Sequence, residues 1–68
     1  MDYAQAMSYV QEHGKRIGQE AKSGDNVARD VCAFYHMHWQ APGDPGAKMF
    51  FAKAVERYRM LHDARSRH

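Results

Sequence analysis

Sixty-eight residues make one small domain, and a chain of that length buries only about 60% of the surface it exposes when unfolded. With 44% apolar and 26% charged side chains and one cysteine, Cys32, the composition excludes an internal disulfide and offers no apolar run that could span a membrane. The net charge of +2 is unevenly held: residues 1–47 carry four basic and six acidic side chains, residues 48–68 six basic and two acidic.

The start, Met1-Asp-Tyr-Ala-Gln-Ala-Met7, lacks the basic residues and apolar core of a signal peptide. The lone thiol suits a reducing compartment. A cytoplasmic protein of a bacterium or a phage-infected cell is therefore expected.

The first helix is expected from about Tyr3 to Lys22, with Asp2 as its N-cap. Tyr3, Met7, Val10, Gly14, Ile17, Gly18 and Ala21 form its stripe. The stripe stays in phase through both glycines, which favours one helix, and close approach of another helix backbone would compensate their cost of roughly 1 kcal/mol each. The alternative is that His13-Gly14 ends a short first helix. Ser23-Gly24-Asp25 is the first break: Gly24 suits a positive φ and Asp25 the next N-cap.

The second helix follows from about Asn26 to Trp39, with Val27, Val31, Phe34, Tyr35 and His38 as its stripe. Ala28, Cys32 and Trp39 edge that stripe, and Arg29 and Asp30 face outward. The stretch Gln40-Ala-Pro-Gly-Asp-Pro-Gly46 is the second break, with Asp44-Pro45 reading as N-cap and first helical residue.

The third helix, to about His62, carries the most apolar surface. At 100° per residue, Ala47, Phe50, Phe51, Ala54, Val55, Tyr58, Leu61 and His62 share one face. Lys53 and Arg57 flank that face on one side, Lys48 and Arg59 on the other. Met49, Ala52, Glu56, Met60 and Asp63 occupy the solvent side, and residues 63–68 form a polar tail. The expected fold is all-α: a three-helix bundle dominated by an antiparallel hairpin of the second and third helices.

Ala21-Lys-Ser-Gly24-Asp-Asn-Val-Ala28, then Cys32-Ala33 and Tyr35, then Ala47-x-x-Phe50-Phe51-x-Lys53-Ala54-Val55, resembles one degenerate Sel1-type repeat, a relative of the tetratricopeptide repeat. The resemblance covers about half the chain and implies a helical hairpin of the kind used in protein-binding scaffolds. Gln40-Ala-Pro-Gly-Asp-Pro replaces the usual glycine turn, and Tyr35 is one place off. Solenoids also need about three repeats to bury a continuous core.

No catalytic residue, metal site or cofactor is expected. Cys32 and His36 are four apart, a spacing that puts two ligands on one helix face. Only His13 and His62 could join them from other helices, and nothing in their spacing demands it. His38 reads as a core or boundary histidine. A Cys32–His36 nucleophile lacks a third group and room for a pocket.

The oddity is apolar: Tyr9, Met37, Met49 and Met60 fall off the core stripes. With Lys53 they are the candidate protein-binding residues. A non-enzymatic protein-interaction module is the expected function, with a protein partner or a homodimer on that surface. In size and general character the chain is similar to small phage-borne inhibitors of host machinery such as anti-CRISPR proteins. The second class is nucleic-acid binding through Lys48, Lys53, Arg57, Arg59, Arg65 and Arg67.

Overall fold

A computed structural model describes residues 1–66 of the chain; Arg67 and His68, and with Arg67 one of the candidate nucleic-acid contacts, lie outside the described residues. Three α-helices follow one another: α1 (Tyr3–Lys22), α2 (Asn26–Gln40) and α3 (Pro45–Ser66). Among the described residues there is no strand. All three helix pairs are in contact, and the α2–α3 pair is the most extensive. Its pairings run in opposite directions, from Arg65 on Asp25 through Arg57 on Asp30 to Phe50 on Phe34, so the two helices are antiparallel. Between α1 and α3 they run the same way, from Tyr3 against Phe51 to Glu20 against Tyr58.

Each helix start is fixed by an aspartate. Asp2 accepts from the Gln5 amide at 2.8 Å while the Gln5 side chain accepts from the Asp2 amide at 3.0 Å, a reciprocal cap. Asp25 accepts from the Ala28 amide at 2.9 Å. Asp44 accepts from the Gly46 amide at 2.9 Å, with Pro45 in the first turn, where its missing N–H costs nothing. Between the first two helices Gly24 takes φ +98°, a conformation glycine reaches without strain. Helix α1 is continuous through Gly14, so the short-helix alternative does not hold. Helix α3 runs four residues beyond His62, where Arg65 reaches back to Asp25 at 3.3 Å.

The core is Ala6, Ile17, Ala28, Val31, Phe51, Ala52, Val55 and Tyr58, with the buried His38. Three expectations are corrected here. Phe50 and Leu61 are 54% and 39% exposed, whereas Ala52 is buried. The arc of about 120° from Tyr58 through Val55 to Ala52 is buried, so the covered face is rotated away from Phe50 and Leu61 rather than narrowed. The face that is covered centres on Phe51, Val55 and Tyr58 and extends to the small Ala52, beside Tyr3. Ala6, outside the expected α1 stripe, is fully buried, and Trp39 is 54% exposed. Finally, no backbone closes on Gly14 or Gly18: a Cβ added at either meets nothing within 4 Å.

His38 sits in the middle of the aromatic core. Its ring stacks on Phe51 with centroids 4.9 Å apart, and Nε2 shares a hydrogen bond with the Tyr3 hydroxyl at 2.9 Å. Its Nδ1 is buried without a hydrogen-bond partner.

Candidate protein-binding surface

Lys53 and Arg57 stand two residues on either side of the buried Val55. Two steps of 100° place each about 200° from it, on the solvent side of α3. Both are exposed. This corrects the expectation that they flank the buried stripe, because the buried face is rotated toward Ala52.

Phe50 precedes Lys53 by three residues, and Met60 follows Arg57 by three. Gly46, Phe50, Lys53, Arg57, Met60 and Ala64 thus alternate steps of four and three, the spacing that lines side chains along one helix seam. Met49 and Leu61 border the seam on opposite sides. Phe50, Met49 and Met60 are each more than half exposed. The Phe50 ring stacks on Phe34 of α2, centroids 6.1 Å apart. Met37, also exposed, lies one turn beyond Phe34 on the same side of α2.

Of the five candidate protein-binding residues, Met49, Lys53 and Met60 therefore share the outer face of α3, and Met37 lies on α2, three residues after the Phe34 that stacks on Phe50. Tyr9 is turned away. It is half-buried, its ring lies against Tyr58 and His13, and its hydroxyl accepts from Arg16 at 3.0 Å. Arg16 also donates to the Tyr58 hydroxyl at 3.2 Å, and that hydroxyl donates to Glu20 at 2.6 Å. The hydrogen bond to Tyr58 holds the Arg16 guanidinium charged still more firmly than usual. Burial, then the bond to Glu20, pushes the Tyr58 phenol above its ordinary value. This network stitches α1 to α3. Its only sequence signal was the four-residue step from Arg16 to Glu20, which fixes a shared face but not the partner across it.

The basic candidates do not gather. Lys48 lies over the Tyr3 ring at 5.2 Å, Arg57 is 3.8 Å from Asp30, Arg59 3.9 Å from Asp63 and Arg65 3.3 Å from Asp25. Among the described residues, Lys53 has no carboxylate within 4.0 Å. Arg59 and Arg65 leave α3 on opposite sides, toward α1 and α2.

Cys32 and His36 line one groove of about 300 Å³ between α1 and α2, with Val10, Gly14, Val31 and Tyr35 among its walls. Gly14, having no side chain, leaves that groove open. Among the described residues no group of three or more His, Cys, Asp or Glu is placed to hold a metal ion. No helix of the described residues is long and apolar enough to cross a membrane.

Phe50, Leu61 and Trp39 are the exposed large side chains that sequence reasoning assigned to buried or bordering positions. For Phe50 and Leu61 the α3 sequence held no signal of that exposure, because the buried arc is set by where α1 and α2 pack. Comparisons of the chain with protein-family models, with curated proteins and with solved structures found no match.

Proposed function

We propose that the protein is a small protein-binding module that docks its partner on the outer face of α3. One observation carries this reading: Met49, Phe50, Met60 and Leu61 expose between 39% and 66% of their surface on one helix, in a chain whose core has little apolar area to spare. Exposed aromatic and methionine side chains bordered by charges are the composition of a binding patch, methionine adding adaptable contact. Occupying a host protein's surface, as small phage-borne inhibitors do, is the biological setting this reading favours; its support is the chain's size and general character. Binding of nucleic acid is the less supported alternative, because Arg57, Arg59 and Arg65 already sit beside carboxylates and point in different directions.

The test is site-specific photocrosslinking in the source cells, with a photoreactive phenylalanine in place of Phe50 or Met60. The expected result is a discrete protein adduct from both positions and none from the same probe at the exposed Glu12 of α1. Adducts with nucleic acid alone, or equal labelling at Glu12, would overturn the reading.

A further inference from the structure

The outer seam of α3 reads nearly the same in both directions about Val55. Phe50 mirrors Met60, Lys53 mirrors Arg57, and Met49 mirrors Leu61. Its ends are apolar and its centre carries two cations, with Phe50 and Met60 about 15 Å apart along the axis at 1.5 Å per residue. Lys53 and Arg57 are four residues apart and so neighbours on one face, and among the described residues no carboxylate answers Lys53. Arg57 meets Asp30 only at 3.8 Å, with both side chains more than half exposed, a contact that a closer carboxylate can replace.

We propose that the occupant of this face is an amphipathic helix of a different protein, bearing two carboxylates four residues apart, each flanked three residues outward by a large apolar side chain. This rests on the protein-binding reading and names the partner's chemistry. A second copy of this chain fits poorly. Paired antiparallel about Val55, two copies set Phe50 against Met60 favourably, but bring Lys53 against Arg57 twice at the centre. Paired parallel, they set each cation against itself. Like charges at a helix seam select against such pairings. A partner with acids at the centre turns the same two positions into attraction, and because the seam is nearly palindromic it can lie in either direction.

The experiment is selection of binders from a displayed library of single-helix peptides against the full chain, followed by affinity measurement on the enriched peptides. Enriched helices should carry Asp or Glu at two positions four apart, with apolar residues three outward on each side. Lys53→Glu/Arg57→Glu should weaken them more than tenfold, and peptides with lysines at those two positions should recover binding to that variant. Enriched helices that lack the acidic pair, or that bind the double variant equally well, would overturn the inference while leaving protein binding intact. A dimer seen by light scattering that needs Phe50 and Met60 would also overturn it, assigning the face to a second copy. Salt-sensitive oligonucleotide binding lost in the double variant, with no helix enriched, would overturn both this inference and the protein-binding reading.

Discussion

His38 shows how much one buried polar group can decide. Its ring stacks on Phe51 and meets Tyr35 edge-on, so its shape belongs to the core. Its nitrogens do not: one meets Tyr3 and the other meets nothing. Both tautomers leave Nδ1 unpaired. Tyr3→Phe should therefore strand Nε2 as well and cost about 1–3 kcal/mol. Adding His38→Phe removes the stranded atoms and keeps an aromatic ring, so the double variant should be more stable than Tyr3→Phe alone. Denaturant unfolding of the four proteins in this cycle checks the coupling. Tyr58 makes a prediction in pH. Its phenol is raised above the ordinary value of 10.0, so the fold favours the neutral form. That contribution is complete below about pH 10 and is lost as pH rises through the raised value. Tyrosinate absorbance should show a late, unfolding-linked step for Tyr58, and Tyr58→Phe should remove it.

At the scale of the helix, the boundaries were legible and the faces only partly so. Asp2, Asp25, Gly24 and Asp44-Pro45 are local signals that act through the backbone, and the structure uses each as its chemistry suggests. The buried arc of α3 depends instead on where α1 and α2 lie, which no single helix encodes. Ala52 and Phe50 exchanged their expected places for that reason. Gly14 and Gly18 exchanged their expected role too. With open space at both Cβ positions, neither serves close packing. Gly14→Ala and Gly18→Ala should each stabilise the protein by about 1 kcal/mol, raising its melting temperature by roughly 4–8 °C. A fall in stability would show that these glycines do meet a neighbour. The second cap carries a pH signature. Hydrogen bonding to the Ala28 amide first, and then Arg65, holds the Asp25 carboxyl below its ordinary value of 3.8. Its contribution is present above about pH 4 and is lost as pH falls through the lowered value. Acid titration of stability should show this loss, and Asp25→Asn, which keeps an acceptor oxygen for the cap, should flatten that part of the curve.

Over the whole molecule, the candidate surface was visible in pieces. Met49, Lys53 and Met60 were recognisable as outward-facing or bordering residues, and the structure puts them along one seam with Phe50 and Arg57. Phe50 was hidden in the sequence because an apolar residue beside a core stripe looks like core. Tyr9 misled for the opposite reason: it falls off the stripe, yet Arg16 and Tyr58 draw it into the α1–α3 seam. The seam matters only if its apolar residues are free of folding duty. Exposed apolar side chains changed to polar ones shift stability by about 0.5 kcal/mol or less, whereas truncating the buried Phe51 should cost about 3–5 kcal/mol and unfold so small a domain. The decisive measurement pairs the melting temperature of Phe50→Ser/Met60→Ser with capture of the protein crosslinked at α3. The expected result is a melting temperature lowered by no more than about 8 °C, the equivalent of roughly 1 kcal/mol, and lost capture. A large fall in melting temperature would place Phe50 and Met60 in the core, and retained capture would move the docking surface off α3.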